Sequence, residues 1–350
     1  MRNSENVLNI LSEHSTDSDY KYERLYRNLF NEQMFYTAYQ RIYAKQGNMI
    51  SGTDGKTIDQ MSIQRIVNLI VSLKNETYKP HPAKRVYIPK KNGKKRPLGI
   101  PSFEDKLVQE VTRMILEAIY EGYFEYASHG FRPNKSCHTA LTHIQKTFSG
   151  TKWLIEGNIK GFFDNINHEV LIKTLKERIV DERFICLIRK FLNARYMEDW
   201  KFHKTYSGTP QGGLISPILA NIYLDKFDMT IAQMIKKLRK GKDFIIPYID
   251  KKGQKKVRML YNEGFKRKTA KDYAQCDNIP NTNISPYPSL VERLKAEKCE
   301  LCGVEGKTVM HHVRTLKDLK GENEWEQQML KKHRKTLTVC ETCNAKIHVH

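Results

Sequence analysis

Two Cys-x-x-Cys pairs, Cys299-Glu-Leu-Cys302 and Cys340-Glu-Thr-Cys343, stand on either side of a His311-His312 doublet near the end of the chain. Thiolates spaced in this way can share one tetrahedral zinc ion, and four of them fill its coordination sphere. The zinc they predict is structural, because no position is left for a substrate. That leaves the histidines to be explained. His311 and His312 are expected at the end of a strand, while Asn344 and His348, four residues apart, share one face of a short final helix. Together they can hold a second, catalytic metal ion.

The cluster resembles the HNH nucleases, whose ββα-metal site takes ligands from the first His of the doublet and from the helix. By that resemblance His311, Asn344 and His348 are ligands of Mg²⁺ or another divalent ion, and His312 is the general base that deprotonates water. Two departures are visible. Most members carry His where this chain has Asn344, and the middle Asn of the family name is absent near Lys335-Thr336. The alternative is a zinc ribbon that grips nucleic acid and cuts nothing.

The 350 residues carry 60 Lys and Arg against 39 Asp and Glu, a net charge of +21 that points to a polyanionic partner. No apolar run has the length of a membrane span, and Met1-Arg-Asn-Ser-Glu lacks the apolar stretch of a signal peptide. The expected location is intracellular, in the cytoplasm or nucleoid of a bacterium or in an organelle, with no membrane partner. Cys137, Cys186 and Cys276 are scattered and read as free thiols.

Residues 23–75 read as helices, because Tyr26, Leu29, Phe30, Met34, Phe35 and Ala38 recur at helical spacing and residues 61–73 repeat the pattern. Residues 84–101 read as a β-hairpin around Asn92-Gly93. Its lysines and arginines, Lys84, Arg85, Lys90, Lys91, Lys94, Lys95 and Arg96, are candidates for contacts to nucleic-acid phosphates. Protection of an exposed sheet edge is the plainer reading of such charges. Helices are then expected over 105–123, 139–148, 169–178 and 181–196, with a strand over 153–159. A glycine-rich turn at 208–213 leads into another helix, and strands follow at 244–248 and 255–260.

The hairpin with Arg96-Pro-Leu-Gly-Ile-Pro101, then Gly130-Phe-Arg-Pro133, Gly161-Phe-Phe-Asp-Asn-Ile166 and Thr209-Pro-Gln-Gly-Gly213-Leu-Ile-Ser-Pro217, resembles in this order the group II intron-encoded reverse transcriptase/maturases. The terminal HNH-like domain also occurs in that family. The resemblance implies reverse-transcriptase fingers and palm, with group II intron RNA and target DNA as partners.

The polymerase motifs depart from the family. Its first metal-bridging Asp belongs to Gly-Asp-Ile-Lys-Gly, and this chain has Gly157-Asn158-Ile159-Lys160-Gly161. An amide offers a neutral carbonyl in place of a charged carboxylate, so Asn158 is expected to bind Mg²⁺ much more weakly. No Tyr-x-Asp-Asp occurs, and Tyr248-Ile-Asp250-Lys251 replaces the second acid with a cation. Phe163 matches the family's steric gate, Asp164 survives without a metal-bridging role, and Gln211-Gly212 matches a nucleotide-contacting loop. With both halves of the two-metal site altered, these five positions, Asn158 included, are expected to be vestigial.

The fold class expected is α+β, in three parts. Residues 1–235 form reverse-transcriptase fingers and a partial palm. Residues 236–288 are a short hairpin and linker, the rest of palm and thumb being deleted, and 289–350 are the HNH-like zinc domain. The expected function is binding of intron RNA and target DNA, with polymerase activity lost and HNH-type nicking as the second activity. The alternative is a non-catalytic zinc-containing nucleic-acid binder or a non-functional remnant.

Overall fold

The computed structural model describes residues 3–348, apart from 45, 90–92, 94, 149–156, 158, 199–200, 204, 206, 210–211, 239–244, 250–254 and 260–287. In chain order the elements are α1 (Ser4–Glu13), α2 (Glu32–Ile42), α3 (Ile63–Lys74), β1 (Ala83–Pro89), β2 (Lys95–Ile100), α4 (Phe103–Tyr120) and α5 (Cys137–Thr147). Next come α6 (His168–Lys176), α7 (Glu182–Leu192), β3 (Tyr196–Glu198), β4 (Lys201–His203), α8 (Ser216–Leu238), β5 (Ile245–Ile249) and β6 (Lys255–Met259). The chain closes with α9 (Leu290–Lys295), β7 (Thr308–His312), α10 (Glu324–Lys331), β8 (Thr336–Cys340) and α11 (Glu341–His348). This mixture of helices and sheets is the α+β class that the sequence implies.

Two compact units divide the chain: residues 1–123, 162–220 and 284–350 form one, and 124–161 with 221–283 the other. In the first, α4 is buried almost all round. Leu107, Val108, Val111, Ile115 and Ile119 are joined in the interior by Asp105, Gln109, Glu110 and Thr112. Buried polar groups need partners, and Asp105 accepts from the hydroxyls of Tyr78 at 2.5 Å and Ser102 at 2.7 Å and from the His81 N–H at 2.9 Å. Side-chain caps start the surrounding helices: Asn31 for α2, Ser62 for α3, Asn167 for α6 and Asp181 for α7.

A four-stranded sheet in the order β2-β1-β3-β4 carries the basic hairpin. β1 and β2 pair antiparallel from Lys84 opposite Ile100 to Pro89 opposite Lys95, and β1 also pairs parallel with β3 at Ala83 and Tyr196. The helix expected over 181–196 therefore stops at Leu192. The backbone of Ala83 donates to Arg195 O at 2.8 Å, so the segment after Asn193 is claimed by the sheet instead of a further helical turn. The strand expected over 153–159 falls mostly outside the described residues, and Gly157 and Ile159 are not in a strand. Helices α1 and α10 have no counterpart among the sequence expectations.

In the same unit, β7 and β8 pair antiparallel with α11 running straight on from β8. Cys299, Met329, Leu337, Val339 and Ile347 form their core, with Trp325, Leu301 and Leu319 packed against it. Ser289 caps α9 through a reciprocal capping box with Glu292. The open edge of β7 is taken by the backbone of Met61, whose carbonyl accepts from Met310 N–H at 2.8 Å.

The second unit holds α5, most of α8 and the antiparallel β5–β6 hairpin, in register from Ile245 opposite Met259 to Ile249 opposite Lys255. Arg132 turns inward and donates to the carbonyls of Glu125 at 2.8 Å and Ser128 at 2.9 Å. It thereby fixes the Gly130-Phe-Arg-Pro133 turn.

Candidate functional site

The β8–α11 junction and the 299–302 turn bring Cys299, Cys302, Cys340 and Cys343 together, with their sulfurs within 4.8 Å of one another. The sulfurs of Cys302 and Cys340 are 3.7 Å apart, far beyond a disulfide bond length. The N–H of Cys302 points at the Cys299 sulfur at 3.5 Å. Burial pushes the Cys299 thiol up, but N–H groups of Cys302, Cys340 and Leu301 outweigh it and bring it down to about 6. Four cysteine sulfurs brought together in this way are the donor set of a closed tetrahedral metal site and fit zinc.

At the far end of β7 from Cys340 the His doublet splits. Successive residues of a strand face opposite ways, so His311 and His312 meet different surroundings. His311 is buried, with its ring 5.3 Å from that of His348 and 5.2 Å from that of Trp325. Asp59 lies between the two histidines, 3.4 Å from Nδ1 of His311 and 3.2 Å from Nε2 of His348. Its Oδ1 also accepts from the backbone N–H of His312 at 2.8 Å. Burial pushes the Asp59 carboxyl up, but the His311 ring and the N–H groups of His312 and Gln60 hold it below its ordinary value.

Both ring nitrogens of His311 and the buried Oδ1 of Asn344 lack hydrogen-bond partners among the described residues. Unpartnered nitrogens on His311, with Asp59 and His348 within reach and Asn344 one helical turn before His348, fit a metal ion. Two imidazoles, a carboxylate and an amide carbonyl suit zinc, manganese, cobalt or nickel. Mg²⁺ is a poor match, because it takes oxygen ligands almost alone.

His312 faces the other way. Its Nε2 is 2.6 Å from the Tyr39 hydroxyl, the two rings meet at 75°, and the side chain is 4% exposed. Burial depresses its pKa to about 3. The ring is thus neutral but sealed against α2, and a general-base role requires α2 to withdraw from it.

The positions read as vestigial come together in part. Asn158 and Gln211 lie outside the described residues. Phe163 and Asp164 line a short turn against which the glycine-rich loop is pinned: Thr209 N–H donates to Phe163 O at 2.7 Å and the Ser207 hydroxyl to Asp164 O at 3.0 Å. Gly208 has φ +81°, and a Cβ there would stand 2.5 Å from Phe163 O. At Gly212, φ +109°, a Cβ would stand 2.3 Å from Gly99 O of β2. Only glycine permits these approaches. The groups of three or more metal-capable side chains among the described residues are the four-cysteine set and Asp59, His311 and His348.

In the hairpin, Lys84, Lys95 and Arg96 are exposed, whereas Lys90, Lys91 and Lys94 lie outside the described residues. Arg85 is engaged elsewhere. It stacks 3.8 Å over the Tyr196 ring and pairs with Glu198 at 3.6 Å, tying β1 to β3. Asp59 is the site residue that sequence reasoning missed. It sits beyond the Gly52-Thr-Asp-Gly55 loop, 253 positions from His312, with no motif around it to mark it.

Comparison with known proteins places two domains on this chain. Residues 88–260 match the reverse transcriptase (RNA-dependent DNA polymerase) family, and residues 299–344 match the AI2M/AI1M-like HNH endonuclease family. The group II intron-encoded protein LtrA of Lactococcus lactis subsp. cremoris is 48% identical over 260 residues, which are 73% of this chain and 42% of LtrA. An uncharacterised 91 kDa protein in the cob intron of Schizosaccharomyces pombe is 43% identical over 291 residues, 79% of this chain and 36% of that one. The nuclear intron maturase 4 of Arabidopsis thaliana mitochondria is 33% identical over 136 residues, 38% and 17% of the respective chains. This chain spans less than half the length of each of these relatives. No described helix is long and apolar enough to cross a membrane.

Proposed function

We propose, for a chain that belongs to the group II intron-encoded reverse transcriptase and maturase family, a role in binding nucleic acid without copying it. The observation that carries this reading is the pair of departures in the polymerase motifs: Asn158 in place of the bridging Asp, and Lys251 where the second acid of Tyr-x-Asp-Asp belongs. Two-metal catalysis depends on those carboxylates. Binding does not, because phosphate contacts need only charge and shape.

Intron RNA is the ligand proposed for the hairpin face, through Lys84, Lys95 and Arg96 and, from the sequence between β1 and β2, Lys90, Lys91 and Lys94. Target DNA is the ligand proposed for the C-terminal domain, built on a structural zinc at Cys299, Cys302, Cys340 and Cys343. Residues 1–235, 236–288 and 289–350 are read as shortened reverse-transcriptase part, connector and HNH-like domain. The reverse-transcriptase match ends at 260 and the HNH match begins at 299, which supports a palm and thumb shortened from within.

A divalent ion held by His311, Asn344 and His348 would supply charge stabilisation to a scissile phosphate. Nicking by this domain would further require His312 to leave Tyr39. That engagement favours the non-catalytic reading.

Primer extension on an RNA template with Mg²⁺ tests the proposal, beside filter binding of a group II intron RNA. RNA retention without cDNA is expected. Appreciable cDNA synthesis overturns the loss of copying, and unchanged RNA affinity after Lys95→Glu with Arg96→Glu overturns the hairpin assignment.

A further inference from the structure

We propose that Asp59, from the loop between α2 and α3, is a ligand of the metal ion held by His311, His348 and Asn344, so that the ion staples the N-terminal helices to the HNH-like domain. The proposal rests on the reading that the C-terminal domain holds a second metal beside the four-cysteine site. It adds a donor from a segment outside the matched reverse-transcriptase and HNH residues.

The geometry that points to it begins at Gln60. This residue takes φ 58°, a left-handed conformation that costs a side chain other than glycine about 1 kcal/mol or more. The turn aims both neighbours at β7. Met61 O receives the N–H of Met310, and the Asp59 carboxylate enters between the rings of His311 and His348. Backbone pairing on one side of the strained residue thus sets the position of the carboxylate on the other.

The donors themselves supply the second argument. One ligand atom each from Asp59, His311 and His348 lies within 4.8 Å of the others, close enough for a single ion to draw them together by small side-chain shifts. His311 is 5% exposed and neither of its ring nitrogens has a hydrogen bond among the described residues, and the buried Oδ1 of Asn344, one helical turn before His348 in α11, is in the same condition. The carboxylate stands 3.4 Å from His311 Nδ1 and 3.2 Å from His348 Nε2, and the side chain of Asp59 is only 13% exposed. Asn344 stands where the family carries a third imidazole. A carboxylate offsets the weaker donation of an amide and supplies the negative charge that a dication requires at a buried site.

The test uses the full chain with Co²⁺ replacing zinc, since thiolate and imidazole-carboxylate sites differ in their visible spectra. Wild type is expected to take up two Co²⁺ ions, the first with thiolate charge-transfer bands and the second without them. Asp59→Asn keeps an oxygen for the His312 N–H, and it is expected to weaken the second ion at least about tenfold while leaving the first unchanged. Asp54→Asn, in the same loop, is expected to bind as wild type does. Hydrogen exchange at residues 59–61 should slow on filling the second site in wild type, and not in Asp59→Asn. If Asp59→Asn binds the second ion like wild type while His348→Ala does not, the metal site stands and Asp59 is not its ligand. If wild type binds a single Co²⁺, at the thiolates, the second metal site and this proposal fall together.

Discussion

The Tyr39 hydroxyl lies 2.6 Å from Nε2 of His312, and the two residues are 273 positions apart in the chain. Burial raises the Tyr39 phenol well above its ordinary range and brings His312 down to about 3, so both groups are neutral and the bond is uncharged. A buried neutral hydrogen bond whose partner is then left alone is worth about 1–2 kcal/mol. Tyr39→Phe should lower stability by that amount in denaturant unfolding, and should speed hydrogen exchange along residues 308–312. Unchanged exchange there would mean that α2 does not hold β7.

The cluster of four cysteines predicts the response to chelation. Its sulfurs anchor the 299–302 turn to the start of α11, and Cys299 itself belongs to the core with Leu337, Val339 and Ile347. Small domains of this kind draw much of their folding energy from the bound metal. Cys340→Ser should lower the zinc content by one ion per chain in elemental analysis, and that variant, like a strong zinc chelator, should make residues 299–348 sensitive to protease. Zinc content equal to that of wild type in Cys340→Ser would contradict the assignment.

Arg178 predicts a large loss elsewhere. It is 3% exposed and donates to the carbonyls of Ile119, His14, Ser15 and Asp17 at 2.8 to 3.1 Å. It thereby ties α1 and α4 to the end of α6. Removing the guanidinium leaves these acceptors without their donor, and Arg178→Ala should cost about 3 kcal/mol or more. Arg178→Lys should recover little, because an ammonium cannot match the planar fork. Urea midpoints of the two variants check this.

Asp225 gives a pH dependence. Burial, with the nearby Asp228 charge second, raises its carboxyl from 3.8 to about 6, and its Oδ1 has no hydrogen-bond partner among the described residues. The folded form therefore binds the proton more tightly than the unfolded chain. The resulting stability is present below about pH 4 and lost as pH rises to about 6. Asp225→Asn should stabilise the protein at pH 7.5 by about 1 kcal/mol after solvent screening, and should make little difference at pH 4. Equal effects at both pH values would show that the gain is not electrostatic.

Much of the candidate site was legible because its residues are local in sequence. Cys299 and Cys302, Cys340 and Cys343, and Asn344 and His348 are each brought together within one turn, so spacing alone reports their geometry. The doublet His311-His312 was legible as a strand end, but not the different fates of its members. Alternation sends one ring to the metal donors and the other to Tyr39, and what each meets there depends on α2 and α10. The helix read through Tyr196 shows the same limit, since pairing with Ala83 overrides the helical pattern beyond Leu192.

By itself the sequence determined the class of the chain: a four-cysteine HNH-like domain behind reverse-transcriptase motifs. Covalent spacing and side-chain chemistry suffice for that. Only the tertiary structure decided that Asp59 stands between His311 and His348 and that Tyr39 closes over His312. Those contacts follow from the edge pairing of Met61 with Met310, which brings together segments that the linear order keeps far apart.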